Sequence, residues 1–387
     1  MSVKTGIDVL HEHNYAALAG KRIGLLANAA SVDKHLVSTY ERLWQADTVN
    51  LVALFGAEHG FSGAIADGET VNTMRDPRTN LPIYSLYGMT VKPSPDMLAD
   101  IDAIVVDIQD VGVRYYTFVW TVSYLLEAAG EAGIEIIILD RPNPLAETVD
   151  GLPLEADFSS FVGRYDVPVQ HGMTIGELAQ MMNTVWNETP AALTVVACKG
   201  YRCEMTWQET GLLFVPPSPN MPHLITAQHY PGACLLEGTT LSEGRGTSMP
   251  FEVTGAPYID GWSLADNLNT LDLPGVRFRA HSFVPSASKY TGEQCAGVQA
   301  HIMDGARYRP FETWLHVIQE IRHHYPDDFA WLPPYKEGAL QHFDRLVGSD
   351  RVRQQIEDEV SVSEILIGCD SYCATFRERR EQFLLYS

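Results

Sequence analysis

Length, composition and charge set the first limits on what this chain can be. It has 387 residues, of which 45% are hydrophobic and 20% charged, as expected for a folded protein too long for one small hydrophobic core. Its 49 acidic and 27 basic residues give a net charge of -22, which disfavours nucleic acid and anionic membranes as partners, although the same charge also serves solubility.

The first half of the chain alternates apolar runs with stretches of helical spacing. The apolar runs predict β-strands covered on both faces, at 22–27, 51–55, 103–108, 135–139 and 193–197. Helical spacing at 121–132 and 174–186 predicts two crossover helices, each opened by a threonine. This alternation is typical of an α/β fold with a parallel sheet. The first strand runs into LLANAAS rather than a GxGxxG turn, which disfavours a dinucleotide-dependent dehydrogenase.

The second half differs in character from about residue 205 onward. Proline, glycine and small polar residues predict long ordered loops or short strands there, and helical patterning returns at 310–324 and 361–385. We therefore predict two domains, residues 1–205 and 206–387.

The cysteines and the N-terminus bear on the cellular compartment and on metal binding. Six scattered cysteines predict reduced thiols, and neither a secretory signal nor an apolar run of membrane-spanning length is evident, so we expect a cytoplasmic protein. Cys369 and Cys373 can share one helical face. Without a histidine or a further cysteine nearby they are a weak metal signal, and no bound metal is predicted.

Polar side chains follow three consecutive predicted strands. In open α/β sheets ligands bind beyond the carboxyl ends of the strands, so these side chains are candidates for a single site. They are Glu58 and His59 after the second strand, Asp110, Arg114 and Tyr116 after the third, and Arg141 and Asn143 after the fourth.

Glu58 is the candidate general acid, because an apolar wall and nearby carboxylates can keep a glutamate protonated at neutral pH. His59 beside it can orient or polarise it. The alternative is a loop glutamate bound by backbone amides. Glycines on both sides favour the functional interpretation, because they allow a ligand to approach the backbone closely.

The remaining candidates each have a structural alternative. Arg114 and Arg141 can bind a substrate carboxylate, or can pair with Asp110 and Asp140. Asn143, between two prolines, is rigid enough to point its amide at a ligand, and His171 can reach the site or merely pack. Polar groups among glycine and proline later in the chain predict a rigid recognition surface, which includes Asn220, Glu243 and Arg245.

Six long motifs carry a resemblance that spans nearly the whole chain. They are FGAEHGFSG at 55–63, DIQDVGVRYYTF at 107–118, LDRPNP at 139–144, HGMTIGELA at 171–179, PPSPNMP at 216–222 and EGTTLSEGRGT at 237–247. With these motifs in this order, the sequence closely resembles the NamZ-type exo-β-N-acetylmuramidases, long known as a domain of unknown function. Several long motifs together are far more specific than any single one.

The resemblance implies removal of terminal N-acetylmuramic acid from the non-reducing end of peptidoglycan fragments, without metal or cofactor. It implies a Rossmann-like domain joined to a second α/β domain, with the active-site cleft between them, and it makes Glu58 the acid/base. The second catalytic group is less defined; Asp110 is a candidate. Because muramic acid carries a lactyl carboxylate, we expect arginines in the site, and Arg114, Arg141 and Arg245 are the ones inside motifs. Tyr116 can stack on the sugar.

Two other classes of protein compete with this interpretation. A non-catalytic amino-sugar-binding protein would keep the site without turnover, and a metal-dependent esterase or amidase would use His59, His171 and Asp110. Retaining, inverting and substrate-assisted mechanisms are all compatible with the motifs, which define no oligomeric state. A cytoplasmic muramidase would act in cell-wall recycling.

Overall fold

The computed structural model describes residues 2–61 and 74–386. The chain forms two compact units, each built from several segments. The first unit contains residues 1–148, 171–223 and 377–387, and the second contains 149–170 and 224–376. Residue 205, where the composition changes, lies inside the first unit. The division into domains 1–205 and 206–387 stays a prediction.

The first unit contains a seven-stranded sheet in the order β3-β4-β2-β1-β5-β6-β7. Neighbouring strands pair in parallel from β4 through β7, and β3 pairs antiparallel with β4. The strands are β1 (Arg22–Ala27), β2 (Asn50–Gly56), β3 (Met74–Arg75), β4 (Pro82–Ser85), β5 (Ala103–Asp107), β6 (Glu135–Leu139) and β7 (Leu193–Val196). The order from β4 to β7 is that of a doubly wound Rossmann-type sheet, which switches direction between β1 and β5.

All five predicted strands are present, within one residue of their predicted ends, and the parallel α/β prediction is confirmed. Each residue of β5 is buried, as is β6 after its first residue, because helices cover both faces of the sheet. The short strands β3 and β4 were not predicted. Proline at the start of β4 and the length of only two residues for β3 explain why pattern reading misses them.

The first unit also contains six of the helices in the described ranges. They are α1 (Gly6–Glu12), α2 (Thr39–Gln45), α3 (Pro95–Leu98), α4 (Phe118–Ala132), α5 (Ile175–Val185) and α6 (Trp207–Thr210). Residues of α1 and α2 pack on β1, where Ile7 and Leu43 meet Ile23 and Leu25 in one buried cluster. Each fully buried aliphatic side chain there contributes about 1.5–3 kcal/mol relative to exposure.

The two predicted helix starts have different outcomes. Thr174 caps α5 as predicted: its hydroxyl accepts from the backbone N–H of Glu177, whose carboxylate in turn accepts from the Thr174 N–H. The prediction that Thr121 opens α4 was wrong. The helix begins at Phe118, and Thr121 is fully buried in its interior, where its N–H bonds to the Thr117 carbonyl.

The second unit is built around a three-stranded antiparallel sheet in the order β8-β10-β9. The strands are β8 (Val253–Ala256), β9 (Val276–Phe283) and β10 (Cys295–Ile302). The helices that begin in this unit are α7 (Leu224–Ala233), α8 (Gly261–Thr270), α9 (Pro310–His324), α10 (His342–Val347), α11 (Arg351–Glu357), α12 (Val362–Ile365) and α13 (Cys369–Arg380). Helix α9 has the predicted limits. Throughout the described ranges, every helix is too short or too polar to cross a lipid bilayer.

The last residues of the chain belong to the first unit and bind its interior. Tyr386 donates its hydroxyl hydrogen to Asp140 Oδ2 at 2.6 Å and accepts from the Cys198 N–H at 2.8 Å. The Leu385 N–H donates to Glu177 Oε1 at 2.7 Å. These bonds attach the C-terminal segment to the carboxyl end of β6 and to the first turn of α5.

Candidate active site

The turn that follows β2 presents Glu58. Both His59 and Gly60 have positive φ, 69° and 74°, and a side chain on Gly56 would meet the backbone nitrogen of Phe61 at 2.5 Å. The turn therefore requires glycine at position 56 and holds His59 in a conformation that costs a non-glycine residue about 1–3 kcal/mol. Such a conformation is typical of functional sites, where the surrounding structure maintains it.

Two hydroxyl groups hold the Glu58 carboxylate. Thr117 Oγ1 donates to Glu58 Oε2 at 2.6 Å, and the Tyr87 hydroxyl also bonds to the Glu58 side chain. Burial and the negative charge of Glu58 raise the pKa of Tyr87, so Tyr87 remains a donor. Glu58 itself is only half-buried. It is therefore fixed in orientation and still accessible from outside.

His59 lies behind the turn rather than at the surface. Its side chain is buried, and its ring meets that of Phe118 edge-on, with centroids 6.3 Å apart. The predicted role of His59 in orienting Glu58 stays a prediction.

Asp110 is a buried carboxyl group at the carboxyl end of β5. Its Oδ2 accepts from the Gly112 N–H at 2.6 Å, and its Oδ1 has no hydrogen-bond partner among the described residues. Burial raises the pKa of Asp110 to about 7, against the opposing effect of the Gly112 and Val111 amides. Asp110 is thus a carboxyl group that exchanges its proton near neutral pH, as acid/base chemistry requires.

His171 lies beside Asp110 and is fully buried. Its Nδ1 accepts from the Met173 N–H at 3.3 Å, which assigns the ring proton to Nε2, and Nε2 lies 3.8 Å from Asp110 Oδ2. Burial, with a smaller effect of the Arg380 charge, lowers the pKa of His171 to about 3. His171 is therefore neutral, and its Nε2–H lies near the Asp110 carboxyl group but too far away for a hydrogen bond.

Tyr116 lies near both carboxyl groups. Burial raises its pKa, against the opposing effect of the nearby Ser218 side chain and with smaller contributions from the charges of Asp110 and Glu58. Its ring meets Phe118 edge-on at 4.8 Å. The structure therefore gathers Glu58, Asp110 and Tyr116 as one group of side chains, and Ser218 joins the PPSPNMP motif to it.

The arginines inside the motifs of the first unit are buried. Arg141 makes a bidentate ion pair with Asp107, the last residue of β5, at 2.5 and 2.9 Å, and also donates to the Val32 carbonyl. The ionic partner of Arg141 is therefore Asp107 and not Asp140, the partner that the sequence suggests. Arg114 is fully buried, and its carbonyl accepts from Trp120 Nε1 at 2.7 Å. Binding of a substrate carboxylate by either arginine stays a prediction.

The two asparagines differ in their surroundings. Asn143 is buried, accepts from the Leu145 N–H at 2.9 Å and donates to the Met173 carbonyl at 3.1 Å. It also packs on Gly112 so closely that a Cβ there would lie 2.2 Å from its Oδ1. These contacts join the loops after β5 and β6. Asn220 is half-buried in a turn.

Glu243 and Arg245 belong to an ionic network of the second unit. The buried Glu243 carboxylate lies 2.8 Å from Lys289 Nζ and accepts from Ser288 Oγ at 3.0 Å. Arg245 lies 2.6 Å from a carboxylate oxygen of Glu237 and 3.5 Å from Glu243. Both predicted substrate residues thus have ionic partners inside their own unit.

A separate cavity of about 90 Å³ lies near the carboxyl ends of β1, β5 and β6. Its lining includes Asp33, Lys34, Gln109, Arg141 and Trp207. Ligand pockets usually enclose about 300–1,000 Å³, so this cavity is too small for a disaccharide.

Three residues of the site were not predicted individually, although two of them lie within quoted motifs. Thr117 and Ser218 gave no separate signal, because hydroxyl residues are common in loops. Tyr87 comes two residues after β4. The rule that strand ends carry the site would have found it, had β4 been recognised.

The metal-dependent alternative finds no support in this geometry. In the part of the chain that the structure describes, the group of side chains close enough to share a metal ion is Asp150, Cys369 and Cys373. The set proposed for a metallohydrolase, His59, His171 and Asp110, does not form such a group.

The parallel sheet, with two carboxyl groups in unlike surroundings after its strands, is typical of an α/β enzyme. Family models described as the N-terminal and C-terminal parts of the exo-β-N-acetylmuramidase NamZ match residues 23–225 and 228–386. The chain belongs to this family.

Similar proteins are known by sequence and by structure. The chain is 44% identical to the peptidoglycan β-N-acetylmuramidase NamZ of Bacillus subtilis, over 99% of this chain and 91% of that protein. Two DUF1343 family proteins of Bacteroides fragilis have similar structures. One has a TM-score of 0.92 at 38% identity and covers 100% of both chains. The other has a TM-score of 0.79 at 30% identity and covers 100% of this chain and 99% of its own.

Proposed function

We propose that this chain is an exo-acting β-N-acetylmuramidase that releases terminal N-acetylmuramic acid from the non-reducing end of peptidoglycan fragments. The observation that carries the proposal is the pair of unlike carboxyl groups, Glu58 and Asp110, which follow β2 and β5 on either side of β1 in a NamZ family member. The half-exposed Glu58 is the group that substrate can reach, and we assign it the role of acid/base.

The proposed mechanism divides the work between enzyme and substrate. Glu58 protonates the leaving glycosidic oxygen as the bond to the anomeric carbon breaks. A buried Asp110 with a pKa of about 7 is a poor nucleophile in its protonated form. The N-acetyl oxygen of the sugar therefore attacks the anomeric carbon, so no enzyme-bound sugar forms. Water then opens this cyclic intermediate, and Glu58 takes the proton of that water.

Asp110 and Tyr116 support Glu58 electrostatically in this mechanism. When Asp110 is protonated, it adds no negative charge to the group of side chains that contains Glu58 and Tyr116. Thr117 and Tyr87 keep the Glu58 carboxylate oriented through the reaction.

We further propose that the enzyme works in a reducing compartment, on fragments recovered during cell-wall recycling. All six cysteines are in the described part of the chain and are free thiols. Free thiols are typical of proteins that stay in the cytoplasm.

The test compares Glu58→Gln with the wild-type protein on two substrates. With the natural muramyl-glucosamine disaccharide, the variant should lose about 10²-fold to 10⁴-fold in kcat, because its amide cannot protonate the leaving oxygen. An aryl muramide with an acidic phenol needs little protonation and should be partly rescued. Glu135→Gln is the matched control, because Glu135 begins β6 at the opposite end of the sheet and pairs with Lys21.

Two results would contradict the proposal. A Glu58→Gln variant that cleaves the disaccharide at nearly the wild-type rate would exclude the assigned role. A wild-type protein whose melting temperature rises with the disaccharide, but which releases no product from either substrate, would be a sugar-binding protein instead.

A further inference from the structure

Two cysteines and an aspartate meet in the second unit, and none of them is used in the proposed chemistry. Cys369 is the first residue of α13, and Cys373 lies one turn later; both are buried. Asp150 comes from a distant part of the sequence, and its Oδ1 lies 3.9 Å from Cys369 Sγ. One ligand atom from each of the three residues lies within 4.8 Å of the other two.

These separations suit a tetrahedral zinc ion. With Zn–S bonds of about 2.3 Å and Zn–O bonds of about 2.1 Å, tetrahedral angles put a sulfur and a carboxylate oxygen about 3.6 Å apart and two sulfurs about 3.8 Å apart. The observed 3.9 Å between Cys369 Sγ and Asp150 Oδ1 is close to this spacing.

The backbone already holds Asp150 in place. Its N–H and carbonyl both pair with Gln170, at 3.1 and 2.8 Å. The next residue, Gly151, has a φ of 99° and offers its carbonyl to both thiols, with oxygen–sulfur distances of 3.4 Å to Cys369 and 3.6 Å to Cys373. Fixed ligands lose little freedom on binding, and this favours a specific site.

Both cysteines are free thiols in this structure. A divalent cation would have to displace both thiol protons, and thiolates favour soft cations over Mg²⁺ or Ca²⁺. Two thiolates and one carboxylate around Zn²⁺ leave one net negative charge, which the Arg309 charge near Asp150 favours and the Asp370 charge opposes.

We propose that Asp150, Cys369 and Cys373 bind one Zn²⁺ ion, with solvent as the fourth ligand. Binding releases two protons and fastens the 149–170 segment to α13 within the second unit. None of the three residues takes part in the proposed glycoside cleavage.

The experiment titrates the purified, reduced, metal-free protein with Cd²⁺ alone, in oxygen-free buffer, and records the ultraviolet thiolate-to-cadmium absorption. We expect saturation at one equivalent, release of two protons per ion measured with a pH indicator, and competition by Zn²⁺. Cys369→Ser and Cys373→Ser should each abolish the two-thiolate band. Asp150→Asn should weaken binding by at least about 10-fold to 100-fold, because losing a ligand costs no less than losing one of its supporting partners.

Cys203→Ser is the matched control, because Cys203 is a half-exposed thiol of the first unit beside Glu147. This variant should keep the band unchanged. The proposal is overturned if the wild-type protein gives no band, if the band survives in both α13 variants, or if it disappears with Cys203. Circular dichroism checks that each serine variant is folded; if neither is, the proton count of the wild-type protein and the affinity of Asp150→Asn decide the matter.

Discussion

Replacing Arg141 tests whether a motif arginine serves the substrate or the fold. Its guanidinium and the Asp107 carboxylate are 5% and 0% exposed and are joined by two bonds of 2.5 and 2.9 Å. In Arg141→Met the carboxylate stays buried, and the hydroxyl of Thr39 becomes its main remaining partner. Breaking a buried pair in this way costs about 3–5 kcal/mol, which changes the unfolding equilibrium of the sheet about 10²-fold to 10⁴-fold.

The loss of stability in Arg141→Met comes mainly from leaving the buried Asp107 charge unpaired, and not only from losing its attraction to Arg141. We therefore expect the double variant Asp107→Leu/Arg141→Met to be more stable than Arg141→Met, since it leaves no buried ion. Arg22→Met is the surface control. Arg22 lies on the same sheet and pairs with Asp100 and Asp102 in solvent, so its loss should cost no more than about 1 kcal/mol.

Hydrogen exchange measured by mass spectrometry gives the assay, because peptides that cover β1 and β5 report the opening free energy of the first unit alone. Kinetics with a muramyl and a glucosaminyl substrate run in parallel. Our reasoning is refuted if Arg141→Met loses less than about 1 kcal/mol while its KM rises for the muramyl substrate alone. Arg141 would then bind the lactyl carboxylate, as the alternative prediction holds.

Three further predictions concern single side chains. Thr117→Val should lower kcat about tenfold, because it removes a hydrogen-bond donor to Glu58. The control Thr121→Val deletes a buried hydroxyl without a hydrogen-bond partner among the described residues, so it should leave kcat unchanged and raise the free energy of unfolding in urea by about 1 kcal/mol. Equal losses of kcat in the two variants would count against the Glu58 contact. Burial raises the pKa of Asp110 to about 7, so the folded protein binds this proton more tightly than the unfolded chain does. The stability of the wild type relative to Asp110→Asn should therefore fall as the pH rises from about 4 to 7. A difference in unfolding free energy that stays constant with pH in urea titrations would contradict this. Burial lowers the pKa of His229 to about 3, so the folded protein holds this histidine neutral. The stability of the wild type relative to His229→Gln should therefore fall as the pH drops from about 6.5 toward 3. Thermal melts across that range with a constant difference between the two proteins would contradict this.

The parallel sheet was predictable because its strands are nearly all apolar. Strands β1 and β6 match their predicted limits, since burial on both faces requires unbroken runs such as RIGLLA and EIIIL. The antiparallel sheet of the second unit was not predicted strand by strand. In β9, exposed and buried residues mix, with arginine and histidine along the strand, and the run carries no continuous apolar signal.

The candidate site was predictable to the level of which loops form it. Glu58 and Asp110 are candidates because strand ends converge at one edge of a parallel sheet. Their partners depend on which loops touch, and that information is not local. Arg141 pairs with Asp107, a residue that pattern reading placed inside a strand, while Thr117 reaches Glu58 from the start of α4 across 59 positions of sequence.

The bonds made by Leu385 and Tyr386 constrain how this protein can be made. On a ribosome, Asp140 and Glu177 emerge some two hundred residues before Leu385 and Tyr386, which bind them. Until those two residues have been synthesised, each carboxyl group lacks one of its native partners, so the final packing of the first unit must wait for this segment. A stop codon before residue 385 would remove both bonds.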